Sequence, residues 1–201
     1  MAVDIKTVAE LRARTNAGMV DCKTALDEAG GDIDKAADIL RKKGIAKADK
    51  KGDRQVKEGL VHAYIHGAGQ VGAMVEVLCE TDFVARNEQF QDFVHDLAMQ
   101  VAATNPLYLT SDEIPAEVLE KERELASEEF AGSGKPAEVI TKIVEGKLSK
   151  YYEQVCLLDQ RFIKDEDLTI RDHLKNNIAR IGENIQIRRF VRFALSSGGV
   201  E

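Results

Sequence analysis

The alternation Val71, Ala73, Val75, Val77, Cys79 is the feature that most narrows what this chain can fold into. A period of two puts these five side chains on one face of a strand. Leu60–His66 just before it also has strand character, and Gly67-Ala68-Gly69-Gln70 between them suits a hairpin connection. A strongly amphipathic helix follows, with Phe90, Phe93, Val94, Leu97 and Val101 inward, and Asn105-Pro106 ends it. A last clear strand is expected at Ile185–Leu195, where Ile185, Ile187, Val191, Phe193 and Leu195 alternate inward and Arg189 interrupts them. The spacing also suggests a weak strand near Val155–Ile163 and a helix near Thr169–Ile181.

The first 44 residues read differently, as three short helices. Ile5, Val8 and Leu11 mark the first, Thr15–Gly18 breaks the pattern, and Val20–Ala29 forms the second. Gly30-Gly31 stops it, and Asp32 is a good N-cap for a third. There Ile33, Ala36, Ala37 and Leu40 form one apolar stripe, with Gly44 as the expected end. So few large side chains make a very small core.

Residues 41–57 hold eight Lys or Arg against Asp49 and Asp53. That density reads as a solvated linker, or as a stretch that attracts an acidic surface or RNA. Between Pro115 and Tyr151, two charged helices separated by Gly132 and Gly134 suggest a helical hairpin, and Ser196–Gly199 reads as a frayed end. The whole is an α+β chain, with a three-helix domain and basic linker at 1–54 and a core at 55–201.

Net charge is −7 over 201 residues, the opposite of a protein that neutralises phosphates with its whole surface. No GxxxxGK[ST] or GxGxxG occurs, so neither nucleotide nor nucleic acid is expected to bind directly, and no cofactor is implied. Met1–Lys6 lacks an apolar h-region, and no apolar run approaches the roughly 20 residues that span a bilayer. A cytoplasmic protein with three reduced thiols is expected.

Three groups of residues invite chemistry. Cys79, with His62 or His66 on the neighbouring strand, has the residue types of a cysteine hydrolase. Its place on the apolar strand face argues for a buried structural thiol instead. His62 and His66 would sit roughly 13 Å apart on a strand, too far to share a metal ion. Phe83, beside Asp82 at a strand-to-helix junction, either packs inward or projects past the core edge as an anchor for a partner pocket. Met19 and Val20, after the Gly18 break, pose the same choice between core and contact surface.

Two stretches resemble the signatures of the elongation factor Ts family: Leu11-Arg12-Ala13-Arg14-Thr15-Asn16-Ala17-Gly18-Met19-Val20-Asp21-Cys22-Lys23-Thr24-Ala25-Leu26 and Glu76-Val77-Leu78-Cys79-Glu80-Thr81-Asp82-Phe83-Val84-Ala85-Arg86-Asn87. Ile181-Gly182-Glu183-Asn184-Ile185-Gln186-Ile187-Arg188-Arg189 is also similar, and the three occur in family order. The resemblance implies an N-terminal unit like ubiquitin-associated (UBA) domains. It also implies a core with a three-stranded antiparallel sheet, covered by helices and a helical hairpin. It further implies a non-enzymatic guanine nucleotide exchange factor acting on elongation factor Tu. Asp82 and Phe83 would press into the GTPase domain, Arg12, Met19 and Val20 would grip the nucleotide-binding side, and Ile181 and Gly182 would add contacts. Leu78 and Thr24 depart from the family's usual residues. The chain carries one core half where long members carry two, so a homodimer is expected to supply the other. Tyr64-Ile65-His66-Gly67-Ala68 is similar to a motif in the second half of long members. A general interaction module without exchange activity is the alternative.

Overall fold

The structure, a computed structural model, describes residues 4–15, 17–130 and 135–195. The expected breaks at Gly132 and Gly134 and the expected end at Ser196–Gly199 lie outside the described residues. The elements run α1 (Ile5–Thr15), α2 (Met19–Glu28), α3 (Ile33–Asp49), β1 (Glu58–His66), β2 (Val71–Cys79), α4 (Asp82–Ala85), α5 (Glu88–Thr104), α6 (Ala116–Glu128), α7 (Ala137–Val155), β3 (Arg161–Phe162), β4 (Asp165–Thr169), α8 (Ile170–Ile181) and β5 (Ile185–Ala194). The fold is α+β. One antiparallel sheet has the strand order β1-β2-β5, and β3 and β4 form a separate two-stranded ribbon.

Contacts divide the chain into two compact units. The first comprises Met1–Leu60, Val77–Phe93 and Asp172–Gln186; the second comprises Val61–Glu76, Val94–Arg171 and Ile187–Glu201. In the first unit, Val8, Leu11, Cys22, Ala25, Leu26 and Ala36 form the core of α1–α3, and Ile33, Ile39 and Leu40 pack against it half-buried. Two leucines, one valine and otherwise small residues make this core as slight as the sequence implied. Asp32 caps α3 by accepting the Lys35 N–H at 3.0 Å.

Gly44 does not end α3, which continues five residues further. A Cβ at Gly44 would lie 3.2 Å from the Ala179 Cβ, so the glycine permits a close approach of α8. Arg41, Lys42, Lys43 and Lys47 are therefore helical rather than part of a linker.

In the second unit, His62 of β1 and Arg192 of β5 both reach α5. His62 Nε2 meets His95 Nδ1 at 3.0 Å, and Arg192 Nε donates to the Ala102 carbonyl at 2.9 Å. This places α5 on one face of the sheet, where Ala73, Val75, Val94, Leu97, Ala98 and Val101 are buried. Helices α6 and α7 pack on each other as the expected helical hairpin.

The inward alternation expected for β5 holds only at Ile185 and Ile187, which are buried. Val191, Phe193 and Leu195 are exposed. Arg188 and Arg189 are consecutive, yet both are exposed and both pair with Glu76, Nε to carboxylate oxygen at 3.7 and 2.6 Å. The side-chain phase slips by one residue there, and a one-residue slip reverses every side chain beyond it. The expected strand near Val155–Ile163 is broken: Val155 ends α7, extended Cys156 bridges Tyr108, Leu157–Asp159 form a short turn, and only Arg161–Phe162 pair as a strand.

Among the described glycines, Gly59 is where backbone approach is tightest. A Cβ there would stand 2.2 Å from the Val77 carbonyl oxygen, and its φ is +156°. Gly59→Ala is expected to cost about 2–4 kcal/mol of stability by pushing β1 from β2. Urea unfolding of the two proteins checks this, with a shift of the midpoint at constant slope as the expected result.

Candidate functional site

The seven candidate partner-contact residues, Arg12, Met19, Val20, Asp82, Phe83, Ile181 and Gly182, all lie in the first compact unit. Thr81 follows the end of β2 in extended conformation, and its hydroxyl accepts the Val84 N–H at 3.4 Å, starting the four-residue helix α4. Asp82 pairs with Arg86 at 3.1 Å one turn on. A new helix then begins at Asn87, whose carboxamide oxygen accepts the Gln89 N–H at 2.8 Å. The break matters because Phe83 and Phe90 are not on one helix. Phe90 is wholly buried, whereas Phe83 is 81% exposed. An apolar ring exposed to this degree loses its hydration cost only when something covers it.

The second signature segment is bolted to the third. The Glu183 carboxylate accepts three hydrogen bonds: from Thr81 N–H at 3.0 Å, Glu80 N–H at 3.1 Å and the Thr81 hydroxyl at 2.7 Å. Glu80 returns the arrangement, accepting the Asn184 N–H at 2.6 Å and Arg54 at 3.4 Å. Buried Asn184 donates to the Gly52 and Arg54 carbonyls at 3.2 and 2.8 Å. Lys51 Nζ donates to the Gly182 carbonyl at 2.6 Å. Burial, then repulsion from Arg54, lowers the Lys51 pKa below its usual value.

Gly182 terminates α8 at φ +90°, its N–H bonding the Ile178 carbonyl at 3.0 Å. Only glycine takes that conformation without strain, and it turns the chain directly into Glu183. Ile181 is half-buried and Gly182 exposed. The structure therefore brings Asp82, Phe83, Ile181 and Gly182 to one hydrogen-bonded junction. Sequence reasoning did not single out Glu80, Glu183 or Asn184 as site residues. The available signal was acids and an amide at the end of β2 and just before β5, inside the resembling segments.

Arg12, Met19 and Val20 form a second group. Gly18 is the N-cap of α2, and Met19 and Val20 begin it at 49% and 79% exposed. Cys22, Ala25 and Leu26 take the inward positions of α2. The adjacent apolar pair is thus left outside the small core, and Arg12 is exposed on α1.

The cysteine arrangement has the other character. Cys79 is fully buried, and its thiol donates to the Thr81 carbonyl at 3.2 Å. Burial, reinforced by the Glu183 carboxylate, pushes the thiol up to about 11, so it is not a thiolate near neutrality. His62 is engaged with His95 rather than Cys79, and burial next to His95 lowers its pKa. His66 Nδ1 lies 3.0 Å from the Tyr64 hydroxyl. Among the described residues, no group of three or more His, Cys, Asp or Glu side chains is placed to hold a metal ion. Nor is any helix of the described residues long and apolar enough to cross a membrane.

Comparison with known proteins gives consistent similarities. The family model described as "Elongation factor TS" matches residues 5–177. The chain is 56% identical over 191 residues to a protein named elongation factor Ts from Carboxydothermus hydrogenoformans, covering 95% of this chain and 88% of that one. It is 55% identical over 196 residues to the one from Caldanaerobacter subterraneus, covering 98% of each. The corresponding protein of Moorella thermoacetica is 52% identical over 200 residues, covering 100% of this chain and 97% of that protein.

Glu183→Ala is expected to destabilise the chain by about 2 kcal/mol, because it strips the acceptor from three donors at once. The check is urea unfolding against wild type. Glu183→Gln, which keeps one acceptor oxygen, should fall between the two.

Proposed function

The chain belongs to the elongation factor Ts family, and on that footing we propose that it is a guanine nucleotide exchange factor that binds elongation factor Tu with GDP and promotes GDP release during translation elongation. The observation that carries the reading is Phe83, 81% exposed beside Asp82 on a short helix whose start is tied down by the Glu183 carboxylate. A rigid aromatic held out from its own core is the kind of group that fills a partner's pocket at little entropic cost.

The mechanism is linkage rather than covalent chemistry. A protein that binds the nucleotide-free GTPase more tightly than the GDP form must weaken GDP by the same factor. Each tenfold weakening takes about 1.4 kcal/mol of differential binding. Phe83 and Asp82 supply the wedge, pressing into the GTPase domain. Arg12, Met19 and Val20, exposed on α1 and α2, grip the nucleotide-binding side. Ile181 and Gly182 add contacts beside the wedge. No bond is made or broken in this chain, and no cofactor takes part. The working place is the cytoplasm. Residues 1–54 act as the UBA-like domain with its basic segment, and residues 55–201 as the core.

The partner in self-association is a second copy. On the face of the sheet away from α5, Val61, Ile65, Met74, Val191 and Phe193 are all exposed. Ile65 covers Gly72, and Val61, Met74 and Val191 line one shallow hollow of about 280 Å³. Glu76 and Arg189 also line the hollow, and an exposed apolar patch with an ion pair at its edge supports a homodimer built sheet against sheet.

Release of fluorescent GDP from elongation factor Tu tests the exchange reading. Wild type and Cys79→Ala should accelerate it, and Phe83→Ala should reduce the acceleration at least tenfold, about 1.4 kcal/mol of lost differential binding. A wild-type chain that leaves GDP release unchanged sinks the reading and leaves an interaction module. Sedimentation velocity tests the dimer separately. Phe193→Asp should move the chain from dimer to monomer, and a wild-type monomer at all concentrations removes the proposal.

A further inference from the structure

A cleft in the first compact unit is left unused by the exchange reading. It lies among α1, α2, α3 and α8 and encloses about 390 Å³, within the size range that takes small ligands. Its charge is out of keeping with the chain. Arg14, Arg41, Lys43, Lys47 and Arg180 line it, against only Asp21 and Asp38, in a protein of net charge −7.

The cations come from three helices, so they surround the space rather than lie along one ridge. Between them the wall is small and apolar: Ala17, Ala37, Leu40 and Ala179. Gly44 brings α3 and α8 close, which fixes the separation of Arg41 and Lys47 from Arg180. Short side chains between the long cationic ones keep the space open, while Lys43 and Arg14 pair with Glu28 and Asp34 outside its lining.

Four of the five cations have carboxylate neighbours. Lys47 meets Asp21 at 3.2 Å, Lys43 meets Glu28 at 2.6 Å, Arg14 meets Asp34 at 2.9 Å, and Arg41 lies 3.9 Å from Asp38. All are exposed surface pairs, which contribute little and exchange readily for a better anion. Phosphate is such an anion, since guanidinium groups bind it through two parallel hydrogen bonds. A single phosphate engages at most two or three of these groups, so five cations lining one cleft suit linked phosphates. An RNA backbone, by contrast, needs an open groove that tracks it.

We propose that this cleft binds a compact polyphosphate anion, held by Arg14, Arg41, Lys43, Lys47 and Arg180. The absence of a glycine-rich phosphate loop is no obstacle, because here side chains rather than backbone N–H groups would hold the phosphates. The ligand is either an inorganic polyphosphate or the phosphate chain of a nucleotide.

Isothermal titration of the full chain with tripolyphosphate and with ATP, at about 0.15 M salt so that loose surface attraction is screened, tests the proposal. The variants are Arg41→Ala/Arg180→Ala, and Lys142→Ala as a cation on α7 that does not line the cleft. Thermal melts confirm that each is folded. Saturable one-to-one binding is expected, weakened at least about tenfold in the double variant and unchanged in Lys142→Ala. Tighter binding of ATP than of tripolyphosphate assigns the site to a nucleotide; equal binding assigns it to the phosphate chain alone. No saturable binding of either probe overturns the proposal. So does a binding constant that the double variant leaves unchanged, or binding of single-stranded RNA with neither probe bound.

Discussion

The exchange of hydrogen bonds between Glu183 and the Glu80–Thr81 pair is the interaction on which the rest of the proposed contact surface depends. Two carboxylates, 103 residues apart in the chain, each accept backbone N–H groups of the other's segment. An ionised carboxylate accepting several N–H groups makes charge-assisted bonds, stronger than neutral ones. The donors it satisfies include those at the beginning of α4, which the helix itself leaves without partners. The geometry of Asp82 and Phe83 is thus set by a residue that is not in their own segment.

That arrangement explains how a large aromatic stays exposed without collapsing inward. A Phe at the end of a strand ordinarily gains by burial. Here β2 ends in buried Cys79, Thr81 turns the chain, and α4 lasts one turn before Asn87 starts α5 in a new phase. Phe90 and Phe93 take the core positions, and Phe83 stays outside. Met19 and Val20 are excluded on the same principle, since Cys22, Ala25 and Leu26 already fill the small core of α1–α3. Exposure in both places follows from cores too small, or too fully occupied, to take every apolar side chain.

The two faces of the sheet carry different duties for a related reason. Glu76 holds both Arg188 and Arg189, so two neighbouring residues of β5 share one face. Beyond that point Arg192 turns to α5, and Val191 and Phe193 turn outward. An apolar side chain that would have deepened the core becomes surface instead, and a shallow apolar sheet face results.

Much of this was legible in the sequence. The period-two run Val71–Cys79, the Gly67–Gln70 turn, the Asp32 cap and the inward set of α5 are local patterns, and local sterics and hydrogen bonding are enough to specify them. The resembling segments marked Phe83, Met19 and Val20 as the residues to watch. What the sequence could not settle was every point where a distant residue intervenes. Gly44 reads as a helix stop, but it is the place where Ala179 approaches. The β5 alternation reads as continuous, but it slips where Glu76 binds two arginines. Cys79 and His62 are the residue types of a catalytic pair, but burial holds the thiol protonated and His95 claims the histidine. The sequence by itself determined β2, the turn before it, the cap of α3 and the inward face of α5, because periodicity and capping act within a few residues. Tertiary structure decided where α3 ends, where β5 changes face and that Cys79 is held protonated, because each depends on residues contributed from far along the chain.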